Sequence, residues 1–429
     1  MRVLMFGWEF PPHIAGGLGT ACYGLTKGLA HHNVEVLFVM PSASGDEDQS
    51  AVRIINASDV AVYDTCRNID EFLGKVDFLR VGSNLRPYID PVSFAELVTE
   101  EQKYQTEEFK GYFKEKYKFS GKYGANLMEE VARYAMVAGA IAQQHEFDVI
   151  HAHDWLTNLA GIAAKRISCK PLVIHVHATE FDRTGENVNP EVFRLEQTGM
   201  READKVITVS NLTRNIVINK YGIDPSKVIT VHNAVDFSGR SDLGVQRGVQ
   251  EKIVTFLGRI TFQKGPEYFI EAANKVLKMY PNVRFVMAGS GDLMNRSIKR
   301  VAQLGISDRF HLTGFLRGQD VQRMFEYSDV YVMPSVSEPF GISPLEAMIS
   351  SVPTIISKQS GVAEVLRYAI KVDFWDIDAL ADAIYGLLNY PALSKMAIES
   401  GLEEVNSLKW DYAAAKVKKV YEAAINEKK

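Results

Sequence analysis

Short apolar runs alternate along this chain with longer segments whose apolar residues recur every three or four positions. The first runs lie at 2–7 and 34–40, and 149–151, 172–176 and 206–209 continue them. A second series follows at 253–257, 283–288, 311–313, 330–333 and 353–356. Runs this short and this continuously apolar read as buried parallel strands, and the amphipathic segments between them read as covering helices. The pattern predicts an α/β class with two similar halves, each a doubly wound parallel sheet, facing each other across a cleft. The polar, glycine-bearing stretch 237–244 is the linker expected between them. Residues 84–124 break the alternation with many Glu, Lys, Tyr and Phe. They read as a partly helical insertion in the first half, either a solvated excursion or an acceptor-binding surface. A last helix over 412–426 carries an apolar stripe of Ala415, Val417, Val420, Tyr421 and Ala424, which needs a surface to cover. The expected division is 1–236, 250–410 and a terminal helix 411–429.

Composition narrows the function classes. A formal charge of −5 over 429 residues leaves no electrostatic footprint for nucleic acid or an anionic membrane. No apolar run reaches the ~18–20 residues of a spanning helix. The apolar start is short and meets Trp8-Glu9, which does not suit a signal peptide. Cys22, Cys66 and Cys169 lack metal or redox spacing and fit a reducing cytoplasm, so a cytoplasmic location is expected.

The run from Glu338 to Glu346 carries the most chemical information. It lies between a buried strand and a helical pattern begun by Leu345, Met348 and Ile349. Gly341 permits close approach of backbone to ligand, and the amides of Gly341, Ile342 and Ser343 would open the helix toward a phosphate. Carboxylates on both sides of an anion site suit a nucleotide-sugar, whose diphosphate lies between two hydroxyl-bearing rings. Ordinary acidic residues at a helix start are the structural alternative.

Arg259 and Lys264 follow the strand ending at Leu257, where two cations could clamp a diphosphate and neutralise a leaving group. Gly16-Gly17-Leu18-Gly19 opens the first helix, yet the full G-x-G-x-x-G dinucleotide pattern is not met, which disfavours a nicotinamide dehydrogenase. His151-Ala152-His153-Asp154-Trp155 also follows a strand. His-x-His suggests zinc, but no third ligand is evident nearby and alternating strand residues point oppositely, so no metal is expected. One of these histidines is expected to face the cleft. His175-Val176-His177 is a similar strand end, and Asn233-Ala234-Val235-Asp236 reads as structural, near a hinge.

Taken together, Glu9-Phe10-Pro11-Pro12, Gly16-Gly17-Leu18, His151 to Trp155, Asn233 to Asp236, Gly258-Arg259 with Lys264, and Glu338 with Glu346 resemble the GT-B glycosyltransferases. The likeness is greatest to the retaining glycogen/starch synthases and the family-4 transferases. It implies two Rossmann-like domains and a final helix crossing back to the first. It implies that Gly16 and Gly17 lie against the donor and that His153 bonds a sugar hydroxyl. Arg259 and Lys264 would hold the diphosphate, Glu338 the donor sugar, and Glu346 the ribose, with Gly341, Ile342 and Ser343 supporting sugar and phosphate. Glu9, Asp154 and His177 are further acceptor- or donor-side candidates. The implied reaction uses ADP- or UDP-glucose as substrate, an α-glucan or oligosaccharide acceptor, no cofactor and no metal. Bacterial glycogen synthases usually carry Lys-x-Gly-Gly-Leu-Ala-Asp; here Ile14 and Thr20 stand at the lysine and aspartate positions, which moves the chain toward family 4. The competing readings are a family-4 transferase on a lipid-linked or envelope glycan, a sugar-nucleotide epimerase, and a non-catalytic glycan-binding relative.

Overall fold

The computed structural model describes residues 1–13, 16–61, 117–121, 127–235, 243–244 and 248–428. Two wholly parallel sheets form around the two apolar series. The first has β1 (Arg2–Phe6), β2 (Glu35–Met40), β3 (Arg53–Asn56), β4 (Val149–His153), β5 (Leu172–Val176), β6 (Lys205–Thr208) and β7 (Val228–Thr230). Their order across the sheet is β3-β2-β1-β4-β5-β6-β7. The second has β8 (Lys252–Leu257), β9 (Val283–Ala288), β10 (Phe310–Gly314), β11 (Val330–Met333), β12 (Thr354–Ser357) and β13 (Ile370–Val372), ordered β10-β9-β8-β11-β12-β13. β1, β4 and β5 are buried along nearly their whole length, which is why they read as unbroken apolar runs rather than alternating ones.

Strand order reverses between β1 and β4 in one sheet and between β8 and β11 in the other. At such a reversal the connecting helices leave on opposite faces and open a crevice beyond the strands' carboxyl ends. The glycine loop follows β1 and the His-Ala-His run ends β4. The Arg259–Lys264 loop follows β8 and the Glu338 loop follows β11. Each sheet therefore delivers its two candidate segments to one crevice.

The last helix runs over Trp410–Glu427 and completes the first half's core, as its apolar stripe requires. Trp410, Ala413, Ala414, Val417, Val420, Tyr421 and Ala424 cluster with Ala21, Cys22, Leu25 and Leu29 of the first helix, Gly17–His31. Close approach is possible because Gly24 and Gly28 face the crossing: a Cβ on Gly24 would lie 2.2 Å from Trp410 Nε1, and one on Gly28 would lie 2.7 Å from the Trp410 carbonyl oxygen. The chain thus passes between the halves twice. The two crossings run side by side, with Val235 bridging Lys409 and the Val235 amide donating to the Leu408 carbonyl at 3.3 Å.

The expected insertion at 84–124 lies outside the described residues except for 117–121, and the linker 237–244 likewise except for 243–244. The part that is described departs from a solvated excursion. Residues 117–121 are irregular, and Phe119 is buried in the first core beside Tyr134, ring centroids 6.1 Å apart. Among the described residues no helix is long and apolar enough to cross a membrane.

Candidate active site

The loop after β8 is held by its neighbours rather than by itself. Gly265, at the end of the turn Phe262–Lys264, has φ +66°, and a Cβ there would lie 2.2 Å from the Pro334 carbonyl. Only glycine suits both the left-handed backbone and the contact. The Val336 amide donates to the Gln263 carbonyl at 2.9 Å, which fastens the same loop to the segment after β11. Arg259 extends along this loop and donates to Gln263 Oε1 at 3.0 Å. Lys264 forms an ion pair with Glu338, their side chains 20% and 9% exposed. The two sequence candidates, seventy-odd residues apart, therefore meet directly.

Glu338 is fixed by its backbone. Its amide donates to the Gln359 carbonyl at 3.0 Å, and its carbonyl accepts from the Gly361 amide at 2.8 Å. Three residues on, Gly341 takes φ +99°, where a Cβ would crowd Glu338 Cγ and Met333 Cε at 3.2 Å each. That turn delivers the chain into the helix Ser343–Ile349, with Ile342 at its cap and half-buried Glu346 in its first turn. The Tyr331 hydroxyl, on β11 below, donates to Ser343 Oγ at 2.8 Å.

On the opposite wall, Glu9 is buried and its Oε1 accepts from the Gly19 amide at 3.1 Å. This carboxylate caps the first helix, a structural duty that its candidate role did not anticipate. Gly16 and Gly17 are exposed, and nothing described lies within 4 Å of where their Cβ atoms would be. Packing does not demand glycine there; the missing side chains keep space open above the helix start.

The histidines correct two expectations. Residues two apart on a strand share a face, so His151 and His153 lie together, ring centroids 4.2 Å apart. A third imidazole, His175, stacks 5.3 Å from each. Neither His151 nor His153 opens to the cleft, both being 0% exposed; the outer ring is His177, half-buried, whose Nε2 lies 2.9 Å from His153 Nδ1. Burial drives all four imidazoles well toward the neutral form, His177 to about 3. Asp154 takes φ +60° and turns its carboxylate onto the amides of His177 at 2.6 Å and Ala178 at 3.3 Å. It positions the end of β5, and burial raises its acid to about 6 against the opposing pull of Arg183.

Asp182 was not singled out by sequence. It joins Thr179 in a capping box that starts the short helix Glu180–Thr184, and its other oxygen accepts from Ser337 Oγ at 2.6 Å across the cleft. That helix packs on the Phe262–Lys264 turn. The Thr179-x-x-Asp182 spacing after a strand marks the helix start. The partner across the cleft has no signal in sequence. Glu364 makes a second tie, accepting from the Asn211 and Leu212 amides at 2.9 and 2.8 Å and pairing with His232 at 2.8 Å.

Two parallel sheets of this order, with a cleft between them and a final helix returning to the first, are the fold of the GT-B glycosyltransferases. The chain belongs to that class by sequence also: residues 2–231 match the starch synthase catalytic domain family, and residues 245–404 match glycosyl transferases group 1. It is 26% identical to an uncharacterized glycosyltransferase of Methanocaldococcus jannaschii, MJ1607, over 99% of both chains. It is 24% identical to the glycogen synthase of Mycobacterium tuberculosis, over 99% of this chain and 95% of that one. The fold superposes on Anabaena HepE, solved in complex with UDP and glucose, with a TM-score of 0.67 at 16% identity, over 99% of this chain and 100% of that one.

Proposed function

We propose that the protein transfers glucose from ADP- or UDP-glucose to the non-reducing end of an α-1,4-glucan, with retention at the anomeric carbon. The observation that supports the reading is the meeting of the β8 and β11 loops, where Lys264 pairs with Glu338, Arg259 lies along the same loop, and Glu346 stands in the first turn of the helix that follows. In the reaction the bond from C1 to the leaving phosphate oxygen breaks, and a bond from C1 to the acceptor oxygen forms on the same face. The acceptor proton passes to the departing phosphate. Negative charge grows on that phosphate as the bond breaks, and two fixed cations stabilise it where it grows. When the diphosphate arrives, Lys264 turns toward it and Glu338 is released to a donor-sugar hydroxyl. Because His153 is buried behind His177, it is not assigned a sugar contact here. Incubating the purified protein with UDP- or ADP-glucose, with and without glycogen, tests the reading. Glucan extension with an α-linked product is expected. Nucleotide release without glucan extension would favour a lipid-linked or envelope acceptor, and interconversion of nucleotide-sugars without transfer would favour an epimerase.

Glu346 is the ribose ligand in this scheme. Glu346→Ala should weaken free NDP and donor alike by about 1.5–3 kcal/mol, the worth of hydrogen bonds to a charged group. Unchanged nucleotide affinity by calorimetry would remove the residue from the site.

A donor reaches both walls only when the cleft is closed. The paired crossings at Val235 and Lys409 form a narrow hinge, and the ties at Asp182–Ser337 and Glu364 are few enough to open. Small-angle scattering should show a more compact particle with NDP than without. An equal radius at saturating ligand, in active protein, would mean that the cleft is closed from the start.

A further inference from the structure

The histidine cluster is not used in the transfer scheme proposed above. Register places His153 beside His175 in the paired strands, with His151 two residues back on the same face. His151, His153 and His175 are each at most 2% exposed. Two of the rings are oriented from outside. The Tyr421 hydroxyl, on the final helix, sits 2.6 Å from His151 Nδ1, and His177 Nε2 sits 2.9 Å from His153 Nδ1. The remaining nitrogens, Nε2 of His151, Nε2 of His153 and both of His175, have no hydrogen-bond partner among the described residues. Buried polar nitrogens are ordinarily satisfied, so four of them at one place call for a ligand. One nitrogen from each ring lies within 4.8 Å of the other two, and Cys22 Sγ lies within the same distance of ring nitrogens of His153 and His177.

We propose that His151, His153 and His175 hold a divalent transition-metal ion of the zinc class. Imidazole suits zinc better than magnesium or calcium, which take oxygen ligands. A metal-binding histidine must be neutral, and its second nitrogen is ordinarily held by a hydrogen bond that fixes ring and tautomer; the contacts from Tyr421 and His177 supply that hold. Zinc–nitrogen bonds of about 2.0–2.1 Å require the stacked rings to turn until their nitrogen lone pairs converge on one point. An ion here ties β4 to β5 and, through Tyr421, anchors the helix that returns from the second half.

The test uses the full-length protein stripped by a chelator, then titrated with Zn²⁺ against a chromophoric competitor and, separately, with Co²⁺. One equivalent of zinc should bind. His175→Asn and His151→Asn, checked for folding by circular dichroism, should each weaken binding at least tenfold, while the exposed control His311→Asn should not. Co²⁺ should give the intense visible bands of a four-coordinate site. The Co²⁺ arm needs no variant, so it decides even if the substitutions unfold. No stoichiometric zinc binding, binding that both core variants retain, or the pale spectrum of six-coordinate cobalt would each overturn the site.

Discussion

Lys264→Ala and Arg259→Ala are each expected to lower transfer by at least a hundredfold. Both cations sit on the loop after β8, at the crevice where strand order reverses, and that loop is locked to the neighbouring strand end through Gly265. Charges held this way do not have to reorganise as negative charge develops on the leaving phosphate, so each loss should cost about 3 kcal/mol or more of transition-state stabilisation. The Lys264 variant has a further consequence. Glu338 is nearly buried and pairs with Lys264, so alanine leaves a carboxylate without its cation in the crevice. Lys264→Arg should therefore restore charge and folding better than activity, because a planar guanidinium cannot reproduce a point contact. Steady-state rates on glycogen, with thermal unfolding as a folding control, check both. Near-normal turnover in either well-folded alanine variant would remove that residue from the leaving-group site.

Trp410→Ala should destabilise the first half by about 3–5 kcal/mol, the usual cost of deleting a large aromatic from a core. Trp410 is 8% exposed and lies against Gly24 and Gly28, so the cavity it leaves is lined there by two positions that have no side chains with which to fill it. Gly24→Val should act in the opposite sense with a similar outcome, since its Cβ would enter the indole and push the final helix away. Denaturant unfolding measures the loss, and proteolysis in the last 20 residues should accelerate in both variants. A Trp410→Ala loss below about 1 kcal/mol would show that the returning helix is held elsewhere.

How far the sequence alone could be read differs between the two walls of the cleft. On the second wall the candidates were legible because each follows a short, mostly apolar strand, and a parallel strand's carboxyl end is where ligands bind in such sheets. Arg259, Lys264, Glu338 and Gly341 fall in the loops after such ends, and Glu346 in the helix that follows. On the first wall the same reasoning put one histidine of the His151–His153 pair in the cleft, and it failed because burial depends on what packs over a strand end. His177, on the neighbouring strand's end, lies against His153, and Tyr421 of the final helix lies against His151. Glu9 was a candidate by resemblance, and its hydrogen bond to the Gly19 amide of the first helix had no signal in the local sequence.

Hydrophobic periodicity by itself determined the two parallel sheets and the need of the last helix for a surface, because strand burial and helix amphipathicity are local patterns imposed by a distant but uniform core. Tertiary structure alone decided the pairings: Lys264 with Glu338, Asp182 with Ser337, Glu364 with the helix beginning at Asn211, Tyr421 with His151, and His175 as the third ring beside His151 and His153. Each joins residues from different elements, and their approach is set by strand order, register and helix crossing. Those quantities follow from how the whole chain packs, and no spacing within one segment encodes them.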